Sequence, residues 1–343
     1  MSQIKGVTLD SVTQIALGAA VGEATLGRRI GKPALVWGGI CGLLPDLDVL
    51  VPLGDVVKNF TYHRSASHSL FVLTLLTPVM VALILKRHPH WAGYRLRWYL
   101  LVFLSFITHI LLDGLTVYGT QILWPLDTPP VMWSTIFIID PAYSVPLIFG
   151  VSAAFFMSRT KNTGHVITLA CLMLSSLYLV WTIGIKTHVD NVTKEALDRN
   201  NISYNRIVTV PSPFNTFLWR ILVMDDTMYY EGYYSIFDKD RSIAFSGYPN
   251  NKALLKPIEN HWPVERLQWF TQSFYSARRM ADQIVITDLR MGTENAYVFR
   301  FQVGAARDGK ITPVKSRRIT PDLDLRLLGQ LWQRIWSKPA QPD

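Results

Sequence analysis

Three short stretches of the sequence combine histidine and aspartate at the ends of long apolar runs. They read LLPDLD, HRSASHSL and THILLDG, and begin at residues 43, 63 and 108. Ionisable side chains beside lipid are costly and usually have a function. Histidine and carboxylate side chains are ligands that zinc and related metals use. The sequence therefore predicts one divalent metal site built from three segments, with these candidate ligands: Asp46, Asp48, His63, His68, His109 and Asp113.

Each stretch also has a simpler interpretation. His109 and Asp113 are four residues apart and share one helical face, but a hydrogen-bonded pair inside a helical bundle would have the same spacing. Asp46 and Asp48 could cap a membrane span in solvent. Three such stretches at one face of the membrane make a metal centre a better interpretation than any one of them does alone.

The predicted metal is zinc, with manganese or iron as alternatives. A metal with an open coordination position lowers the pKa of bound water and polarises an ester or phosphoester. Arg64 could hold an anionic substrate group through a bidentate contact, or it could form a salt bridge to Asp46, Asp48 or Asp55. We expect Arg64 and Asp48 to be the catalytic residues, and the serines at 65 and 67 to cap the following helix.

Composition divides the chain into two halves. Residues 1–185 contain 12 Lys/Arg and 8 Asp/Glu, and residues 186–343 contain the remaining 22 and 17 of the totals of 34 and 25. We therefore predict an α-helical membrane bundle over 1–185, followed by a soluble, strand-rich α+β domain over 186–343. The net charge of +9 is spread over both halves, which argues against a nucleic-acid partner.

The first half contains segments long enough to cross a bilayer, which requires about 20 apolar residues. The first segment is rich in glycine and alanine, which favours close helix packing. The sequence predicts about six spans, at residues 12–27, 34–53, 68–86, 98–116, 136–157 and 165–185.

The distribution of basic residues predicts the orientation. Nine of the twelve Lys/Arg of the first half lie in 28–32, 86–97 and 159–161, and the positive-inside rule places those loops in the cytoplasm. The His/Asp stretches and residues 186–343 would then lie outside the cytoplasm. This predicts a multi-pass membrane protein with an extracytoplasmic C-terminal domain. Glu23 would lie near the cytoplasmic end, where Arg28, Arg29 or Lys32 could pair with it.

The second half has the alternating and aromatic-rich pattern of antiparallel strands, for example in 217–238, 283–289 and 296–303. Its tail has large apolar residues at helical spacing, including Trp332 and Trp336. Such an amphipathic helix is more typically packed on its own sheet than laid on a membrane.

Over residues 10–145, the order of the three stretches resembles the YdjM-like family of inner-membrane-associated metal-dependent hydrolases. The family pattern has a histidine in the opening helix, then P-D-x-D, H-R-x-x-[ST]-H-S and S-H-x-x-x-D. This chain has Gln14 where many relatives place that first histidine. Glutamine is a poor zinc ligand, so the resemblance implies either a reduced ligand set or completion of the site by another residue such as Asp10.

The resemblance implies metal-dependent hydrolysis at a membrane. Together with the predicted topology, it leads to a hydrolase that acts on a lipid or lipid-linked envelope substrate, such as a phosphoester, at the outer face of the inner membrane. The lipid bilayer is the expected partner. Two alternatives stay open: a non-enzymatic membrane anchor with a structural metal and a partner-binding outer domain, and a transporter that uses the same polar cluster.

Overall fold

The computed structural model describes residues 2–157, 162–294, 296–320 and 326–337, with side chains from residue 11 onward. Helices make up the first part of the chain, and two sheets make up most of the second. The α-helices, in chain order, are α1 (Ser2–Gly22), α2 (Arg28–Ile30), α3 (Lys32–Leu43), α4 (Val56–Tyr62), α5 (Leu70–Arg87), α6 (Arg95–Gly114), α7 (Pro141–Phe156), α8 (Thr163–Arg199), α9 (Trp262–Phe270) and α10 (Arg326–Trp336).

Within the described residues, four helical segments are long and apolar enough to cross a membrane. They are Lys32–Leu50, Leu70–Arg87, Pro89–Gly114 and Thr163–Arg199. The other two predicted spans do not meet these criteria. The first runs into a π-helical segment at Glu23–Gly27, and α7 has only 16 residues. The structure therefore supports a helical membrane region with about four candidate spans rather than six.

α1 and α3 cross with their backbones in close contact. A Cβ atom added to Gly18 would lie 2.3 Å from the Gly38 carbonyl oxygen, and one added to Gly42 would lie 2.4 Å from the Gln14 carbonyl oxygen. Small residues permit such an approach between membrane helices, as the composition of the first segment suggested. The crossing places Gln14 and Gly42 together at the end of the bundle where the His/Asp stretches lie.

α8 is a continuous helix of 37 residues. Its first part is a candidate span, whereas Val189 and Val192 are buried against the first sheet with Trp219 and Ile221. The predicted boundary between residues 185 and 186 therefore lies inside one helix, and the division into two domains stays a prediction.

The strand-rich part contains two antiparallel four-stranded sheets, in which each strand pairs with its neighbours in sequence. This confirms the prediction of antiparallel strands. The first sheet is β1 (Arg206–Pro211), β2 (Leu218–Met224), β3 (Met228–Ser235) and β4 (Phe245–Pro249). The second is β5 (Tyr275–Met280), β6 (Gln283–Asp288), β7 (Phe299–Arg307) and β8 (Lys310–Ile319).

The connecting segments at one end of the bundle pack into the second sheet. Phe60 of α4 and Tyr118, which follows α6, share a buried cluster with Phe270 of α9 and Phe301 of β7. Aromatic rings in this cluster meet edge to face, with the centroids of Phe60 and Tyr118 5.4 Å apart. The strand-rich part therefore covers the end of the bundle that contains the His/Asp stretches.

Candidate metal centre

Four of the six candidate ligands converge on one buried point. They come from the 3-10 helix Leu44–Leu50 that continues α3, from the 3-10 turn Ala66–His68 before α5, and from the last turns of α6. Their ligand atoms all lie within 4.8 Å of one another and could hold a metal ion. The four residues are Asp46, His68, His109 and Asp113.

The distances between these atoms suit a single ion. The Nε2 atoms of His68 and His109 are 3.1 Å apart. Asp113 Oδ2 lies 3.0 Å from the His68 Nε2 atom and 3.4 Å from that of His109. Asp46 Oδ1 lies 3.3 and 3.5 Å from the same two nitrogens. Four ligands placed tetrahedrally about 2.0–2.2 Å from zinc would be roughly 3.3–3.6 Å from each other.

Hydrogen bonds on the far side of both imidazoles fix their tautomers. His109 Nδ1 lies 2.7 Å from the Gly42 carbonyl oxygen, which can only accept, so the proton is on Nδ1. Ser67 Oγ donates to Asp48 Oδ2 over 2.6 Å and therefore accepts from His68 Nδ1 at 2.9 Å. Histidine ligands in metal sites are oriented in this way. With Nδ1 carrying the proton in each neutral imidazole, both Nε2 atoms can present lone pairs to a bound ion.

The cluster therefore brings together more acceptors than donors. Two imidazole lone pairs face two carboxylate oxygens in a space where all four side chains are almost completely shielded from solvent. Asp113 Oδ2 lies beside the Nε2 atoms of both histidines. Buried acceptors without donors are costly unless a proton or a cation lies between them. This donor set fits a divalent metal.

Asp48 and His63 lie beside the cluster, not in the group of four. His63 Nδ1 donates to Asp48 Oδ1 over 2.8 Å, and the Arg64 backbone N–H donates to Asp48 Oδ2 over 3.1 Å. With the bond from Ser67, the Asp48 carboxylate accepts three hydrogen bonds and connects the loop before α5 to the end of α3. Asp48 thus contacts the ring nitrogen of His68 that faces away from the other three residues.

Arg64 pairs with Asp113, a partner that the sequence did not suggest. Its Nη2 atom lies 3.2 Å from Asp113 Oδ1, and its Nη1 atom donates to Thr116 Oγ1 over 3.2 Å. The guanidinium lies over the Tyr118 ring, 5.2 Å from its centroid. Arg64 has a φ of 62°, a left-handed conformation that is uncommon outside glycine and is found at functional sites.

The serines expected to cap the helix after HRSASHSL have another role. α5 begins at Leu70, and the residue that caps it is Ser69, whose hydroxyl accepts from the Val72 N–H. Ser67 instead contacts Asp48 and His68. The expectation was wrong because the 3-10 turn Ala66–His68 lies between His63 and the helix and directs the Ser67 hydroxyl inward.

Gln14 contacts the cluster without being one of the four. Its Nε2 atom donates to Asp113 Oδ1 over 3.0 Å, and its Oε1 atom has no hydrogen-bond partner among the described residues. Gln14 therefore orients an aspartate of the cluster. The side chain of Asp10 lies outside the described residues.

Three contributors to the site carry no sequence signal of their own. These are the Gly42 carbonyl, the Ser67 hydroxyl and Tyr118. Burial raises the pKa of the Tyr118 phenol against the opposing effect of Arg64, and its hydroxyl donates to the Phe60 carbonyl over 2.8 Å. The uncharged Tyr118 ring thus packs against the Arg64 guanidinium. Only the positions of their neighbours in the fold identify these groups.

A second buried carboxylate lies at the opposite end of the bundle. Glu23, in the π-helical segment, is 3.1 Å from His165 Nδ1 of α8. The sequence had suggested a basic partner from residues 28, 29 or 32. The contact with His165 joins residues 142 positions apart and is not visible in the sequence.

Comparison with known proteins agrees with this structure. Residues 9–189 match the family described as YdjM inner membrane protein. The chain is 32% identical over 179 residues to the inner membrane protein YbcI of Escherichia coli (strain K12), a match that covers 51% of this chain and 91% of that protein. No solved structure matches. The family match covers the three His/Asp stretches and more than half of the sequence, so the chain belongs to the YdjM family of inner membrane proteins.

Proposed function

We propose that this protein is a membrane-bound, metal-dependent hydrolase that acts on a lipid or lipid-linked envelope substrate at the outer face of the inner membrane. The observation that carries the proposal is the convergence of four buried acceptor atoms, two imidazole nitrogens and two carboxylate oxygens, within 4.8 Å. Membership of an inner membrane protein family and the four apolar helical segments support the location.

In this proposal Asp46, His68, His109 and Asp113 are the metal ligands, and zinc is the metal that best suits their mixture of nitrogen and oxygen donors. The bound metal would lower the pKa of a water molecule and polarise the substrate oxygen. Arg64, which already contacts the carboxylate of Asp113, would hold an anionic group of the substrate.

Water would reach the cluster from the side of Asp48 and His63. Their side chains are 18% and 20% exposed, whereas those of His68 and His109 are 0% and 1% exposed. The Asp48 carboxylate accepts from His63 Nδ1 and so leaves the other ring nitrogen of His63 available to move a proton. A histidine oriented by a carboxylate is a common general acid or base.

Hydrolysis assays on detergent-purified protein test the proposal. Phosphoester and carboxyl-ester lipids would be incubated with the zinc-loaded wild type, His109→Ala and His63→Gln. We expect turnover of one lipid class by the wild type and none by His109→Ala. His63→Gln should keep the metal and lower kcat, because it changes a proton-transfer group. Absence of turnover by metal-loaded wild type across both lipid classes would argue against a hydrolase.

The second candidate is a membrane anchor with a structural metal, and the near-complete burial of the four residues favours it. Structural zinc sites have four protein ligands, and catalytic sites keep an open position. X-ray absorption spectroscopy on the zinc-loaded protein separates the two. A water oxygen in the coordination shell supports the hydrolase, and a closed shell of four protein ligands supports the anchor.

We also propose that the strand-rich part lies in the periplasm. The excess of basic residues in loops at the other end of the bundle supports this orientation. An alkaline phosphatase fused to the C-terminus should be active, and a fluorescent protein that matures only in the cytoplasm should be dark at the same position. The reverse pattern would place the candidate metal centre on the cytoplasmic face.

A further inference from the structure

A mainly apolar cavity of about 260 Å³ lies between the end of the helical bundle and the strand-rich part. Its walls come from the segment after α6, the segment before α7, the end of β1 and one face of α10. The apolar side chains that define it include Val117, Ile136, Val210, Met291, Leu327 and Leu331. Concave apolar sites of this kind are the usual binding sites for small ligands.

The charged groups on the cavity wall are already compensated. Arg220 donates to Glu231, and Arg290 donates to both carboxylate oxygens of Asp288. Such a wall offers no free charge to an anion and suits a hydrocarbon. Ser212 also lines the cavity, and its buried hydroxyl has no hydrogen-bond partner among the described residues. That hydroxyl could donate to one carbonyl oxygen of an otherwise apolar ligand.

One end of the cavity reaches the candidate metal centre. Thr116 and Tyr118 line it, and both contact Arg64, the first through a hydrogen bond and the second through its ring. Arg64 in turn lies 3.2 Å from Asp113 Oδ1. The side chains of Thr116 and Tyr118, and the Arg64 guanidinium behind them, therefore lie between the apolar cavity and the cluster of acceptors.

α8 contacts residues that are close in sequence to two walls of the cavity. Tyr178 of α8 donates to Asp140, which caps α7, and its hydroxyl lies 3.1 Å from Thr216 Oγ1 beside β2. α10 packs on the first sheet, as the sequence favoured, with Ile335 buried and its carbonyl accepting from Ser235, whereas Trp332 and Trp336 are 57% and 60% exposed. Exposed tryptophans are typical of the membrane–water interface. α10 thus lines the cavity with its leucines and exposes two tryptophans elsewhere on its surface.

We propose that this cavity receives the hydrocarbon chain of a membrane lipid and so places the lipid's polar head beside Arg64. The proposal rests on the proposed function, since it names the part of the substrate that gives the hydrolase its preference for lipids. The compensated charges select a neutral chain, Ser212 can bind a carbonyl oxygen near its head, and Arg64 separates this chain from the metal ligands.

Photo-crosslinking tests the proposal directly. The full chain would be reconstituted in phosphatidylethanolamine–phosphatidylglycerol bilayers that contain a small fraction of phosphatidylcholine with a diazirine on its acyl chain. After irradiation, mass spectrometry would locate the labelled peptides. We expect label on the peptides that contain Val210 and Leu331. Leu331→Trp, which fills the cavity, should lower this labelling several-fold, whereas Leu174→Trp on the exposed face of α8 should not.

A second filling variant, Ala296→Phe, acts from the strand-rich side and makes the test independent of how α10 is packed. Label confined to the membrane helices, or cavity labelling unchanged in both filling variants, would overturn the proposal. Cavity labelling without lipid hydrolysis would support the chain site and count against the hydrolase. Hydrolysis without cavity labelling would support the hydrolase and count against the chain site.

Discussion

Two buried polar clusters in this protein differ in their balance of donors and acceptors. In the strand-rich part, the carboxylate of Glu231 accepts from Arg220, Tyr297 and Thr293, so its acceptors meet donors. In the helical part, Asp46, His68, His109 and Asp113 direct four acceptor atoms at one point. Burial is similar in the two places. The excess of acceptors, and not burial, therefore distinguishes a candidate ion site from a structural network.

The largest effect should follow removal of a proposed ligand. His109→Ala leaves three of the four acceptors, and we expect metal affinity to fall by more than about 100-fold, beyond the loss typical of residues that only support ligands. Complementation of cells that lack the protein should fail, with membrane levels unchanged on a blot. Glu23→Ala, at the other end of the bundle, is the matched control and should have a milder effect. Full activity of His109→Ala would remove that residue from the site.

Breaking the compensated network should lower stability. Glu231→Gln leaves the Arg220 guanidinium buried without its counter-ion, and such losses cost about 3–5 kcal/mol. Thermal unfolding followed by tryptophan fluorescence would measure the loss. Glu195→Gln breaks a half-exposed pair with Arg241 and should change stability by less than about 1 kcal/mol. Equal effects of the two substitutions would contradict a stabilising network.

The Arg220–Glu231 ion pair also predicts that the free energy of unfolding depends on pH. Burial alone would raise the pKa of the Glu231 carboxyl. The attraction of the Arg220 guanidinium outweighs this effect and holds the pKa below its ordinary value. A lowered pKa in the folded state means that this stabilisation is complete above the unfolded pKa, about 4.3, and is lost as the pH falls through the lower folded value. The difference in unfolding free energy between wild type and Glu231→Gln should therefore shrink below about pH 4. A constant difference would count against the ion pair.

The α1–α3 crossing should be the next most sensitive feature. Gly18→Ala places a Cβ atom 2.3 Å from a backbone oxygen, and we expect a loss of about 1–3 kcal/mol, typical of overpacking. Gly184→Ala in α8 is the control, since a Cβ atom there meets nothing within 4 Å. Chemical denaturation in detergent would compare them. A neutral Gly18→Ala would mean that the two helices do not need this contact.

The smallest effect should come from the hydroxyl behind His68. Ser67→Ala removes the bridge between His68 and Asp48 but leaves all four acceptors. Residues that only orient a ligand typically contribute 10–100-fold to metal affinity, and we expect roughly the lower figure. Competition with a chromophoric zinc chelator would measure it, with Ser176→Ala on the exposed face of α8 as control. Unchanged affinity would show that His68 is oriented without Ser67.

Local spacing explains what the sequence could predict. The separation of four residues places His109 and Asp113 on one helical face, and the structure has both in α6. Alternation predicted the antiparallel sheets. Local patterns do not determine which members of a loop face inward. Asp48 and His63 bond to each other because Arg64 adopts a left-handed conformation and Ser67 turns toward Asp48.

The features that the sequence did not predict depend on packing between residues that are far apart in the chain. The pairing of Glu23 with His165 depends on how α8 docks against the π-helical segment, and the partner of Arg64 depends on the path of the loop before α5. The apolar pattern of α10 predicted a buried face, and Ile335 is buried. Its two tryptophans are largely exposed, and helical periodicity alone does not predict that.

Metal content is the measurement that tests the central claim most directly. Wild type, His109→Ala and His165→Ala would be purified in detergent, loaded with zinc, desalted and analysed by inductively coupled plasma mass spectrometry. If the four acceptors of the cluster bind one ion, the wild type and His165→Ala should each retain about one zinc per chain, and His109→Ala should retain almost none. Stoichiometric zinc in His109→Ala, or none in folded wild type, would contradict the account.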